Sequence, residues 1–104
     1  MTGFRLEPAA DRRLDEIYIY SRERWGEIQA NSYIREMVGA FDDIANRRVP
    51  WRRIPAEFGI DGYFRRHREH VIYWRLGTGE TVLFFAILHV RMHQTERLRD
   101  ELEH

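Results

Sequence analysis

Seven consecutive residues, Val82-Leu83-Phe84-Phe85-Ala86-Ile87-Leu88, are apolar without a break. A strand with one wet face alternates apolar and polar side chains, so a strand without alternation has to be covered on both faces. The run is far shorter than the roughly 18 residues a membrane-spanning helix needs, which places it at the centre of a sheet in a folded domain. A single helical hairpin can cover only one of its faces. The other face is expected either to lie under a short final helix and bulky neighbours such as Trp74, or to be left for a partner, since large uncovered apolar patches mark interaction sites.

The rest of the chain supplies the parts of a small α+β domain. Phe4-Arg5-Leu6 alternates and precedes Glu7-Pro8, which predicts a short strand ending where a helix can begin. Leu14, Ile17, Tyr18 and Trp25 fall at helical spacing up to Gly26, predicting a first helix over about 9–25. Ala30, Tyr33, Ile34, Met37, Val38, Phe41, Ile44 and Ala45 form the clearest helical stripe, predicting a second helix over about 27–46. Only Gly26 and its neighbours separate the two, so they should fold back as an antiparallel hairpin. Residues 47–61 hold Pro50, Pro55, Gly59 and four arginines without a period and read as a basic connecting loop. Strands are predicted over about 62–66, 69–76 and 81–89, the last two joined through Gly77-Thr78-Gly79-Glu80. A short helix over about 94–101 can close the chain.

The expected order is therefore β-α-α-β-β-β with a possible final helix: a two-helix hairpin packed on a mainly antiparallel sheet. It should form a single domain over residues 1–101 of the 104. Leu102-Glu103-His104 reads like the start of a vector-encoded histidine tag and is set apart from functional reasoning. With no cysteine, neither disulfides nor thiolate metal sites can hold the fold, and the 43% of hydrophobic residues must do so by packing. The opening Met-Thr-Gly-Phe-Arg lacks the apolar stretch of a signal peptide, so a cytoplasmic location is expected.

The formal charge is zero, which argues against nonspecific nucleic-acid binding. Its distribution is uneven. Six arginines face nine acidic residues in 1–46, eight face three in 47–75, and three face five in 76–104, so the middle segment carries a balance of +5. All 17 cations are arginine and none is lysine. That composition admits forked recognition of carboxylates or phosphates, or an arginine-biased genome.

Chemistry is harder to find. There is no thiol nucleophile and no glycine-rich phosphate loop before a helix. His89 and His93 have i, i+4 spacing, but His89 ends a strand, where that spacing does not converge on a metal. His67 and His70 are expected on opposite strand faces, so neither a metal nor another cofactor is predicted. A ribonuclease reading draws on His67, His70, His89, Tyr73 and nearby arginines as general acid, general base and phosphate clamp. The preferred reading against it takes Tyr73 and Trp74 as sheet residues and the arginines as a solvated face. No catalytic residue is assigned, and the chain reads as one that grips macromolecular partners.

Four motifs in order carry a family resemblance. Leu6-Glu7-Pro8-Ala9-Ala10 with Leu14, Glu16 and Ile17 forms the first, and Arg24-Trp25-Gly26 with Gln29-Ala30 the second. His67 followed by His70-Val71-Ile72-Tyr73-Trp74-Arg75 is the third, and Ile87-Leu88-His89-Val90-Arg91-Met92 the fourth. Together they resemble the ParE toxins of bacterial ParDE toxin-antitoxin modules, within the RelE/ParE superfamily, over nearly the whole chain. Three departures stand out: Ala86 where the family often has Arg, His93 where it usually has Asp, and Arg68-Glu69 where a glycine is common.

The resemblance implies the toxin of a type II, plasmid-stabilising kind of module. It would inhibit growth without catalysis by poisoning DNA gyrase at its A subunit (GyrA), and a ParD-like antitoxin would neutralise it in a toxin-antitoxin hetero-oligomer. Neither membrane nor direct sequence-specific nucleic-acid binding is expected. Toxin action is placed around His89, Arg91, Met92 and His93 with Trp74 and Arg75 nearby. The antitoxin is expected on Arg52, Arg53, Arg65 and Arg66 and on apolar surface at Phe84 and Ala86. Alternatives are a RelE-like ribosome-dependent mRNA endoribonuclease, against which the lack of lysine and Val71 after His70 argue, and a non-toxic antitoxin-binding corepressor.

Overall fold

The structure, a computed structural model, describes residues 3–102. Strand β1 (Phe4–Leu6) leads into helix α1 (Pro8–Trp25), which starts with proline in its first turn, where the missing N–H costs nothing. Gly26, at φ 93°, ends α1 by donating its N–H to the Arg22 carbonyl and begins α2 (Glu27–Ala45) by accepting from the Ala30 N–H. One residue with positive φ thus makes the hairpin corner, which favours glycine there. The remaining elements are β2 (Arg52–Arg53), β3 (Tyr63–His67), β4 (His70–Leu76), β5 (Val82–His89) and α3 (Gln94–Leu102). Leu102 continues α3, while Glu103 and His104 of the tag-like ending lie outside the described residues.

The five strands form one sheet in the order β1-β5-β4-β3-β2, antiparallel except for β1, which runs parallel to β5. The stretch expected to be wholly loop therefore contains an edge strand. Arg52 and Arg53 pair with Phe64 and Tyr63, and the Ile54 N–H continues the contact to the Gly62 carbonyl. Two residues between prolines carry no readable strand period, so only the pairing reveals them.

Both faces of β5 are covered within the chain. Toward the hairpin, Val82, Phe84 and Ile87 pack with Ile72, Trp74, Met37, Phe41 and Ile44, and the Phe41 and Phe84 rings lie 4.6 Å apart. Toward the other side, Phe85, Ala86 and Leu88 pack with Tyr73 beneath Ile54 and Leu98. A β-bulge decides this division: Tyr73 pairs with Ala86 and Trp74 with Phe84, leaving Phe85 as the extra residue. The bulge turns two successive side chains, Phe85 and Ala86, to one face and shifts the alternation thereafter.

The final helix α3 buries one side chain, Leu98. It is tied at both ends: Gln94 accepts from the Tyr73 hydroxyl at 2.6 Å, and Glu101 pairs with Arg13 of α1 at 2.9 Å. Among the described residues no helix is long and apolar enough to cross a membrane.

Candidate functional site

Antiparallel pairing places His67 opposite His70 and His70 opposite His89, so three imidazoles form a row on the hairpin side of the sheet. This overturns the expectation that His67 and His70 face opposite ways. Arg68 and Glu69 are not strand residues but a two-residue turn, with Arg68 at φ 54°, and cross-strand partners share a face. Tyr33 of α2 sits over the row, 6.1 Å from the His67 ring and 5.9 Å from that of His70, and its hydroxyl meets His70 Nδ1 at 2.8 Å.

Burial pushes the Tyr33 hydroxyl up to about 12, with the Glu36 carboxylate acting in the same direction. Burial, reinforced by His89, pulls His70 down to about 4, and burial lowers His67 as well. The phenol is therefore protonated and His70 neutral, so Tyr33 can donate to Nδ1 and leave the ring proton on Nε2.

Two of the row, His70 and His89, line a groove of about 790 Å³ between the hairpin and the sheet end, lipped by Tyr20 and Trp25, each 56% exposed. Arg13 and Arg68 line it, but Arg13 is paired with Glu16 and Glu101 at 2.9 Å, and Arg68 with Glu36 at 2.6 Å. Glu69 adds a further carboxylate to the lining. With its cations engaged and acid in excess, the groove is a poor host for phosphate. Tyr73, enlisted with the histidines for a nuclease, is buried on the opposite face against Phe85 and Gln94. Among the described residues no group of three or more His, Asp or Glu is placed to hold a metal.

The residues expected to carry toxin action separate into two places. His89, Arg91, Met92 and His93 are contiguous at the end of β5: His89 and Met92 line the groove, the Arg91 N–H donates to His89 Nδ1 at 3.1 Å, and exposed His93 lies 3.9 Å from Glu96. Trp74 and Arg75 are not nearby, as Trp74 is four residues along β4 from His70, about 13 Å at the usual strand rise. Trp74 is fully buried, and its neighbour Arg75 points the other way, over the Phe85 ring and onto Glu7 at 2.8 Å.

The residues expected to meet an antitoxin also divide. Phe84 lies buried under the hairpin and Ala86 under α3, so neither offers a side chain to solvent as the chain stands. Arg53 and Arg65 share the hairpin side with Tyr63 and Ile72, whereas Arg52 and Arg66 share the α3 side with Phe64 and Val71. Sequence reasoning missed Tyr33, Arg13 and Glu36. Tyr33 was accounted for as one apolar position in the α2 stripe, and only the closure of the β3–β4 turn brings the histidines beneath it.

Known proteins are similar to this chain in sequence and in fold. The family model described as the ParE toxin of the type II toxin-antitoxin system parDE matches residues 4–94. The chain belongs to the ParE toxin family. It is 33% identical to Toxin ParE1 of Caulobacter vibrioides over 99 residues, 94% of this chain and 99% of that one. It is 30% identical to Toxin ParE of Escherichia coli, covering 99% of both chains. A solved structure titled as a chromosomal ParDE TA system from P. aeruginosa superposes with a TM-score of 0.68 at 15% identity, covering 86% of this chain and 96% of that one. The ParE match starts with β1 and stops at the first residue of α3, so the Leu98 cover of this ParE family member falls outside it.

Proposed function

We propose that this ParE family toxin stops growth by binding DNA gyrase at its A subunit and stabilising the cleaved DNA-enzyme complex, and that a ParD-like antitoxin neutralises it. Family membership over 4–94 is the observation that carries the reading. The groove supports action by binding rather than by phosphodiester cleavage, because Arg13 and Arg68 are held by carboxylates and Tyr73 lies on the far side of the sheet. The surface proposed to meet gyrase is the turn after β5, with exposed Arg91 and His93 and half-buried His89 and Met92. The acidic arm of the antitoxin is placed on the basic middle segment, which carries eight of the 17 arginines.

Purified gyrase incubated with the chain, DNA and ATP should accumulate protein-linked linear DNA, and bacteria expressing the chain should filament and induce the DNA-damage response. Arg91→Glu should cut cleaved-complex formation by about fivefold or more, the loss of a contact worth at least about 1 kcal/mol. Immediate translation arrest with codon-specific mRNA cuts and intact chromosomes would instead establish the ribonuclease, for which the three aligned imidazoles would then supply the acid and base.

A further inference from the structure

The connection between α2 and β2 holds a built feature that the groove does not use. Arg47, directly after the α2 C-cap Asn46, adopts φ 58°, a left-handed conformation that glycine takes without penalty and a long side chain rarely does. There it lays its guanidinium 3.5 Å from the centre of the Trp51 ring. The indole is fixed in turn, donating its Nε1–H to the Ile44 carbonyl at 2.9 Å. Trp51 lies 5.0 Å from Tyr63, and Arg53 sits over the Tyr63 ring at 5.6 Å. Arg65 follows on the same face of β3, two residues on and about 7 Å away. Among the described residues none of Arg47, Arg53 and Arg65 lies within 4.0 Å of a carboxylate, whereas Arg13, Arg48, Arg68 and Arg75 all do.

We propose that Arg47, Arg53 and Arg65 form a row of pre-placed guanidiniums that binds the carboxylates of an extended acidic polypeptide segment laid along the hairpin side of the β2–β3 edge. The idea rests on the reading that an acidic antitoxin arm holds this toxin, and it narrows that reading to one face and three residues. Arg53 lies over Tyr63, and Arg65 follows Tyr63 by two residues on the same face, about 7 Å, the spacing at which an extended chain presents every second side chain on one side. Arg47 and Arg53 lie over rings and, like Arg65, have no carboxylate within 4.0 Å among the described residues, so their N–H groups are open to forked carboxylate pairing.

A single-stranded nucleic acid fits less well. Such strands are held by bases stacking on open aromatic faces. Here Arg47 caps Trp51, and Tyr63 lies between Arg53 and a stacked Trp74 ring at 6.2 Å.

The probe is a labelled peptide of about twelve alternating Glu and Ser residues, titrated by fluorescence anisotropy at about 0.05 M and about 0.5 M salt. Binding should be present at low salt and weaken at least about tenfold at high salt. Arg47→Gln, Arg53→Gln and Arg65→Gln should each weaken it about fivefold and the triple variant abolish it, while the Arg52→Gln/Arg66→Gln pair on the other face changes it less than about twofold. Arg47→Gly suits the backbone there, so loss of binding with an unchanged melting temperature separates recognition from folding.

The row is overturned if the peptide fails to bind the unaltered chain at low salt, if the Arg52/Arg66 pair matters as much, or if an oligothymidylate of equal charge binds more tightly. If the triple variant loses the peptide but keeps full affinity for a ParD-like antitoxin, the antitoxin reading stands and the row is not its contact. If the peptide binds the row but no such antitoxin binds the chain, the row stands and the antitoxin reading falls.

Discussion

Tyr33 and His70 meet at 2.8 Å in a setting that keeps the imidazole neutral, and this makes folding stability depend on pH with a definite sign. His70 is held at about 4 by burial and then by His89, against an ordinary value of 6.5. The unfolded chain therefore binds more protons between these values, so the contribution is fully present above about pH 6.5 and is lost as the pH falls toward about 4. At about 1.4 kcal/mol per unit, and allowing for partial exposure, the loss is of order 2 kcal/mol. His67, lowered for the same reason, adds in the same direction. Urea unfolding at pH 7 and pH 4.5 should show the unaltered chain losing more stability than His70→Gln; equal losses would mean that His70 is not the proton-linked group. None of this was legible residue by residue. The histidines were conspicuous, but Tyr33 looked like one more apolar helix position, because its hydroxyl's partner, His70, lies 37 residues away and is brought beneath it only by the β3–β4 turn.

Among the elements, the unbroken apolar run 82–88 specified its own burial on two faces, and α1, α2, β4 and β5 appear within a residue or two of where periodicity placed them. Periodicity did not reveal which cover would serve the second face, since α3 contributes only Leu98 and residues outside the α-helices, Ile54, Phe58, Ile60 and Met92, add to it. Nor could it foresee the bulge at Phe85, because residues apolar at both parities look the same whichever way they turn. Leu98→Ala should thus act on more than one contact. Large-to-small changes at buried leucines cost about 2 to 5 kcal/mol, and here the helix has no second buried anchor. The expected outcome is a loss in that range, with hydrogen exchange rising at the Phe85–Leu88 amides and dye binding to exposed apolar surface. A loss below about 1 kcal/mol without those changes would show that the loop alone covers the face.

At the scale of the whole molecule, the radius of gyration of 13.5 Å is close to the roughly 13 Å of a compact domain this long, in keeping with a core closed by its own elements. What stands open is at the surface: the basic edge, and the exposed Tyr20, Trp25 and Ile28 around the hairpin corner. An antitoxin that docks on such a surface stabilises the native state by mass action instead of completing the core. At a thousandfold excess over the dissociation constant this amounts to about 4 kcal/mol, which for a domain of about 100 residues corresponds to a rise in Tm of about 15 to 30 °C.

Two consequences separate surface docking from core completion. The free toxin should already unfold cooperatively as a soluble monomer, and Tm should climb with the logarithm of antitoxin concentration. The basic middle segment, set between two acidic ones, should also make the rise shrink as salt goes from about 0.05 to 0.5 M, since screening weakens contacts between exposed charges. Differential scanning calorimetry across antitoxin and salt concentrations would test both. A free chain with no cooperative transition would place the antitoxin inside the fold, and a rise insensitive to salt would move its main contact from the arginine edge to the apolar hairpin corner.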